Sequence, residues 1–258
     1  PMSFVKGAWK ILVGIKDGLA LILLLMFFGL LFAILSSRPN VANITDGALV
    51  LKLQGTISEQ PAAPDPIGAL LGGGPIVREY AVRDLTRAIE AAKDDARVKA
   101  VVLDLDGFLG GGQASIATVG RALDDAKKAG KPVYAYATAY ANDGYQLASH
   151  ATQIWVDPMG GAMIAGPGGN NLYYGNALDK FGVKANVYRV GTYKSAVEPF
   201  TGSEASEPAK QALSALLEEV WDDWKAEVAK ARPKANLQDI IARPAEAVES
   251  VNGNLAEL

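Results

Sequence analysis

Lys194 lies in the segment VGTYKSAVEPFTG (190–202), after a short apolar run and between a tyrosine, a serine and a Pro-Phe pair. An ordinary ammonium, with a pKa near ~10.4, is protonated at neutral pH, so a lysine serves as general base only when desolvated. Tyr193 and the AVEPF run are placed to supply that burial. A lysine of lowered pKa beside a serine supports acyl transfer without histidine. The competing reading is a solvated lysine paired with Glu198 four positions on. The residues alone leave both open.

Other chemistries are narrowed by what the chain lacks. It has no cysteine, which removes disulfides, thiolate metal sites and a cysteine nucleophile, and leaves the redox compartment undetermined. His150 is the single histidine, so neither a Ser-His-Asp triad nor a multi-histidine metal site is expected. It reads as a polar residue at a helix end. No metal or cofactor is expected. The glycine cluster DLDGFLGGGQAS (104–115) follows a strand pattern and precedes a helical one. It lacks the Gly-Lys-Ser/Thr ending of a P-loop and the GxGxxG spacing of a dinucleotide site. What remains is either a loop whose backbone N–H groups hold an oxyanion or a flexible turn. The second cluster, DPMGGAMIAGPGGN (157–170), has no titratable group after Asp157. It can floor a groove or make a tight connection.

Half of the 258 residues are hydrophobic, ample for one sizeable core, and a net charge of −3 excludes a general pull toward nucleic acid. Gly18–Ser37 holds twenty residues without a charge, enough at about 1.5 Å per residue to cross a hydrocarbon core of about 30 Å. A cleaved signal peptide is the rival, but its apolar stretch is usually only about 7–15 residues, so a retained anchor is favoured. Lys6, Lys10 and Lys16 precede the span and only Arg38 closely follows it, which orients residues 1–17 to the cytoplasm and the remainder outward.

After a polar linker (38–47), the rest reads as one α/β domain over 48–258. ALVLKLQGTI alternates as a strand, and SEQPAAPDPIGALLGGGP is a Pro/Gly-rich surface loop. Val82, Leu85, Ile89 and Ala92 follow helical spacing, VKAVVLDLD (98–106) is a buried strand, and SIATVGRALDDAKKAG (115–130) is a helix stopped at Gly130. The strand KPVYAYA, a short helix near 143–150, the strand TQIWVDP, the helix NLYYGNALDKFG and the strand VKANVYRV follow. A long helix over about 207–231 carries Leu213, Leu216, Leu217, Val220 and Trp224 inward. Such alternation builds a largely parallel sheet covered by helices.

The block VYRVGTYKSAVEPFTG, with KPVYAYATAYANDGYQLASHATQIWVDPMGGAMIAGPGG, closely resembles the signal peptide peptidase A (protease IV) family. These are membrane-anchored serine peptidases of the crotonase/Clp-protease-like superfamily. The resemblance runs over roughly residues 48–258. It implies stacked βαβ units behind one transmembrane helix, and it places the family's general base on Lys194. It also implies homo-oligomers on the outer side of a bacterial inner membrane that take hydrophobic remnant signal peptides from the bilayer. In the family's long form two homologous halves share the work, the first holding the lysine and the second the serine.

One departure stands out. Where the nucleophile-bearing block reads Ala-Ser-Gly-Gly-Tyr, this chain reads Ala141-Asn142-Asp143-Gly144-Tyr145, with Asn142 in the serine's place 52 positions before Lys194. An amide is no nucleophile. Gly110–Gly112 matches the oxyanion-side loop, as a degenerate copy. Ser195 adjoins Lys194 but would face the opposite way on extended backbone, and Ser115 and Ser149 lie outside the block. The chain opens on Pro1 and stops at VNGNLAEL, so the expectation is the lysine-bearing first half of a Ser-Lys peptidase. The serine and most oxyanion amides would belong to a C-terminal half, and this half alone would be inactive. Two rivals are a non-catalytic peptide-binding or oligomerisation scaffold, and acyl-CoA hydratase or isomerase chemistry on the same fold. The anchor and the lysine block argue against the second.

Overall fold

The computed structural model of the protein describes residues 2–36, 46–62 and 77–250. Most of the expected linker (38–47) and of the Pro/Gly-rich loop (58–75) lies outside the described residues. Two compact units are present, Pro1–Thr45 and Asp46–Leu258.

The first unit is a helix, α1 (Met2–Ser36). At about 1.5 Å per residue it is about 52 Å long. Its Lys6–Ser36 stretch is long and apolar enough to cross a membrane, and Leu21, Phe27 and Phe32 along it are exposed. No helix boundary separates the expected cytoplasmic segment from the span. The lysines of the first turns are good helix formers and no proline interrupts them, so one helix runs through both.

The second unit is built from parallel strands. A four-stranded sheet has the order β1-β4-β6-β7, with β1 Gly47–Lys52, β4 Val98–Asp104, β6 Val133–Tyr140 and β7 Gln153–Ala162. A three-stranded sheet has the order β3-β2-β5, with β2 Gly55–Ser58, β3 Glu79–Ala81 and β5 Phe108–Gly111. Two stretches of chain serve both sheets: β1 passes into β2, and β4 passes into β5. The strand expected to end at Gly55 instead ends at Lys52, and Gly55 opens a second strand. Gly55, at φ +137°, turns the chain between them, and its N–H bonds the Gly107 carbonyl at 2.9 Å.

Helices α2 (Val82–Asp94), α3 (Gln113–Lys128) and α4 (Asn142–Ser149) pack on these strands. Val82, Leu85, Ile89 and Ala92 are the buried face of α2, as their spacing predicts. Val82, Leu85 and Ile89 meet Val101 and Leu103 of β4, Ile116 and Leu123 of α3, and Val133 and Ala135 of β6 in one core. Pro158 is accommodated because β7 is an edge strand, where a missing N–H costs no ladder bond.

Three expectations differ from what is found. The helix over 171–182 contracts to α5 (Gly175–Lys180). Residues 183–190, strand-like in pattern, are exposed and irregular. An isolated strand leaves its backbone groups to water, and no described strand pairs with this one. After the single turn α6 (Glu198–Thr201), α7 (Glu207–Ala231) has the predicted bounds, but only Trp224 and Val228 are buried. Leu213 and Leu216 are exposed. The inward face exists only along the second half of α7, where Trp224 and Val228 meet Leu237 of α8 (Leu237–Ala242). A last helix, α9 (Pro244–Ser250), buries nothing.

Candidate functional site

Lys194 is carried on a turn rather than a strand. Gly191 adopts φ +111°, a left-handed conformation that side chains with a Cβ resist. The Lys194 N–H reaches back to the Gly191 carbonyl at 3.4 Å and closes the turn over Thr192 and Tyr193. The lysine stem lies along the bare face of Gly191, where a Cβ would stand 3.8 Å from Cγ and 3.9 Å from Cδ and Cε. Glycine thus permits both the turn and the packing of the lysine against it.

The loop is held by charge. Arg189 Nη1 donates to the Lys194 carbonyl at 2.7 Å and to Glu198 Oε1 at 3.1 Å. Glu198, on α6, is buried at 7% exposure. It also accepts from the Ser206 N–H at 2.9 Å and the Ser206 hydroxyl at 2.7 Å. Ser206 in turn N-caps α7 by accepting from the Ala209 N–H. The Ser206 backbone and hydroxyl bonds, with Arg189 behind them, hold the Glu198 carboxyl below the usual glutamate range against the opposing effect of burial. The i+4 pairing of Lys194 with Glu198 does not occur. Among the described residues Lys194 makes no ion pair.

Burial of Lys194 by its neighbours, one of the two readings its sequence left open, is absent. The residue is exposed. Tyr193 turns its hydroxyl to Gln211 of α7 at 3.1 Å, and Phe200 stacks on Tyr174 with centroids 6.2 Å apart. Both aromatic side chains are engaged elsewhere.

Asn142 and the first glycine loop form a second cluster. Asn142 begins α4. Its side-chain Oδ1 accepts from the Ala165 N–H at 3.0 Å, and its carbonyl accepts from Trp224 Nε1 at 2.9 Å. The neighbouring Asp143 Oδ2 accepts from the Gly111 N–H at 3.0 Å. Gly110 takes φ +104°, and a Cβ there would run into the Asp143 carboxylate. The loop therefore does what an oxyanion-type loop does, presenting a backbone N–H to an anion, but the anion is the chain's own. Asp143 escaped the sequence reading. The signal was available, because the block that shows asparagine at 142 also shows aspartate where the family pattern has glycine.

Neither Ser149 nor Ser115 is exposed. Ser149 is buried and donates to the Gln146 carbonyl at 2.7 Å, and Ser115 is buried at the start of α3. Among the described residues no hydrogen bond joins Lys194 to Ser195, to Asn142 or to the glycine loop. None of them has three or more His, Asp or Glu groups gathered to hold a metal.

His150 is more than a polar helix end. It caps α4 at 2% exposure, with Nδ1 2.9 Å from Asp124 Oδ2 and Nε2 3.7 Å from Glu227 Oε2. It lies so close to Gly120 that any Cβ on α3 there would enter its ring. Burial raises the Asp124 pKa, but the hydrogen bonds from His150 and Lys127 outweigh it and leave the group below the usual range.

Residues 125–246 match peptidase family S49. The chain is 36% identical over 234 residues to Protease 4 of Salmonella typhi, covering 86% of this chain. It is also 36% identical over 235 residues to Protease 4 of Haemophilus influenzae, covering 88% of this chain. It spans 37% and 38% of the length of those two relatives. A solved enoyl-CoA hydratase/carnithine racemase homologue from Magnetospirillum magneticum aligns with 66% of this chain and 79% of its own at 15% identity. Its TM-score is 0.28, which places no constraint on activity. The S49 match contains Asn142, Asp143 and the Lys194 turn together, so the segment that carries them, residues 125–246, belongs to peptidase family S49.

Proposed function

We propose that this chain is the lysine-bearing half of a membrane-anchored Ser-Lys peptidase, and that Lys194 is its general base. In the complete protein the lysine would take the proton from a serine outside this chain as that serine attacks a peptide carbonyl. Its neutral form would be favoured once assembly covers the exposed Lys194 face, because desolvation disfavours an ammonium. The observation that carries this reading is the S49 lysine turn, with an ammonium free of ion pairs among the described residues. Asn142 and the Asp143-occupied glycine loop favour a division of labour in which this half supplies no nucleophile.

The proposed substrates are hydrophobic peptides, remnant signal peptides above all. The proposed setting is the outer face of a bacterial inner membrane, with α1 as the anchor and homo-oligomers as the working form. The length and apolar character of α1 support the anchor.

The test is made in the complete protein. Lys194→Met keeps the length of the side chain and removes its nitrogen, so the hydrolysis rate of an apolar fluorogenic peptide should fall by at least about 10²-fold with folding kept. Lys194→Arg should be nearly as damaging, since a guanidinium does not give up its proton. Full activity in either variant would return Lys194 to the role of a surface lysine.

A further inference from the structure

The carboxylate four positions after Lys194 is the strongest threat to a lysine base. An opposite charge within about 4–6 Å favours the charged form and raises a lysine's pKa. In this chain that carboxylate is fully engaged: Arg189 and both Ser206 groups bond Glu198. Arg189 simultaneously holds the Lys194 carbonyl at 2.7 Å. One guanidinium therefore ties down the main chain of the lysine and occupies the acid that would otherwise bind its ammonium.

We propose that Arg189 and Glu198 are a positioning pair for Lys194, fixing its main chain and withholding the Glu198 carboxylate from its ammonium. The proposal rests on the general-base reading above. The remaining charged groups around the pair belong to the start of α7 and its approach. Lys210 bonds Glu204 at 3.3 Å and Glu207 at 3.0 Å. That cation is satisfied by its own two acids, which leaves Arg189 as the cation on Glu198. The Lys194 stem packs on Gly191, and the hydroxyl of the adjoining Tyr193 is committed to Gln211.

The sign follows directly. Without Arg189, Glu198 keeps its Ser206 bonds but regains a free acceptor edge, beside the Lys194 main chain with which it shared one guanidinium nitrogen. Lys194 then holds its proton to higher pH, and the pH below which the enzyme is inactive moves up. The reach is partly exposed and screened, so the shift should be about one pH unit. Replacing Glu198 by glutamine as well removes the competing charge and should bring the limb back.

The experiment uses the complete protein with Arg189→Ala, Glu198→Gln and the double variant. Two profiles are recorded against pH: kcat/KM on an apolar peptide, and acylation of Lys194 by an amine-reactive ester followed by mass spectrometry. In Arg189→Ala both midpoints should rise by about one unit, and in the double variant both should return. A merely structural role for Arg189 would lower activity without moving either midpoint, and the double variant would be no better than the single. An unmoved midpoint in Arg189→Ala, or a double variant that stays shifted, overturns the proposal. If Arg189→Ala does not fold, Arg189→Gln takes its place, since its amide can still donate to the Lys194 carbonyl while lacking the charge. Should Lys194→Met keep full activity, the general-base reading fails, and the acylation midpoint still decides the pair.

Discussion

At the scale of residues, Asp143, next to Asn142, decides what the glycine loop does. Gly111 presents its N–H inward, as an oxyanion loop would, and Asp143 takes it. Hydrogen bonds to charged groups contribute about 1.5–3 kcal/mol when well shielded, and Asp143 is only half-buried. Asp143→Ala should therefore cost about 1–2 kcal/mol in urea unfolding. Asn142→Ser alone, with Asp143 in place, should leave this chain unlabelled by a serine-directed fluorophosphonate, because the N–H that would hold the oxyanion is occupied. Strong labelling of that single variant would show that Asp143 does not block the loop.

At the scale of elements, the helices divide by how they are packed. Along α3, Gly120 admits the His150 ring from the end of α4, and His150 joins Asp124 of α3 to the neighbourhood of Glu227 on α7. Gly120→Ala would drive a methyl group into that ring. Overpacking of this kind costs about 1–3 kcal/mol, and the expected result is a lower Tm by calorimetry. Combining it with His150→Ala should recover part of the loss, since the two residues are in contact and their effects are not additive. An additive pair would mean that the helix and the ring accommodate each other without strain. The unpaired 183–190 segment and the exposed first half of α7 flank the Lys194 turn in sequence, and both are largely exposed among the described residues.

At the scale of the whole molecule, the parallel strands and their covering helices place the glycine loop and Asn142 at successive strand-to-helix junctions. β5 runs into α3 through Gly112, and β6 runs into α4 through Ala141. Such junctions gather residues distant in sequence, which is how Asp143 reaches Gly111 across 32 positions. For α1 the prediction is one of topology. A reporter fused after Arg38 should be active only outside the cytoplasm, because three lysines precede the apolar span. Strong reporter activity in the cytoplasm would reverse the orientation.

The sequence by itself determined whatever depends on local periodicity. The buried face of α2, the bounds of α7 and the buried strand β4 were legible because helical and strand spacing report directly which side chains leave water. The apolar run of α1 was legible from its length and lack of charge. Tertiary structure decided the rest. Lys194 and Glu198 are four apart, the spacing of an ion pair on a shared helix, but Lys194 sits on a turn before α6. Glu198 therefore meets Arg189 and Ser206, partners set by how the loop folds back on the start of α7. The fate of residues 183–190 was likewise hidden, since a strand pattern becomes a strand only where another edge meets its backbone groups.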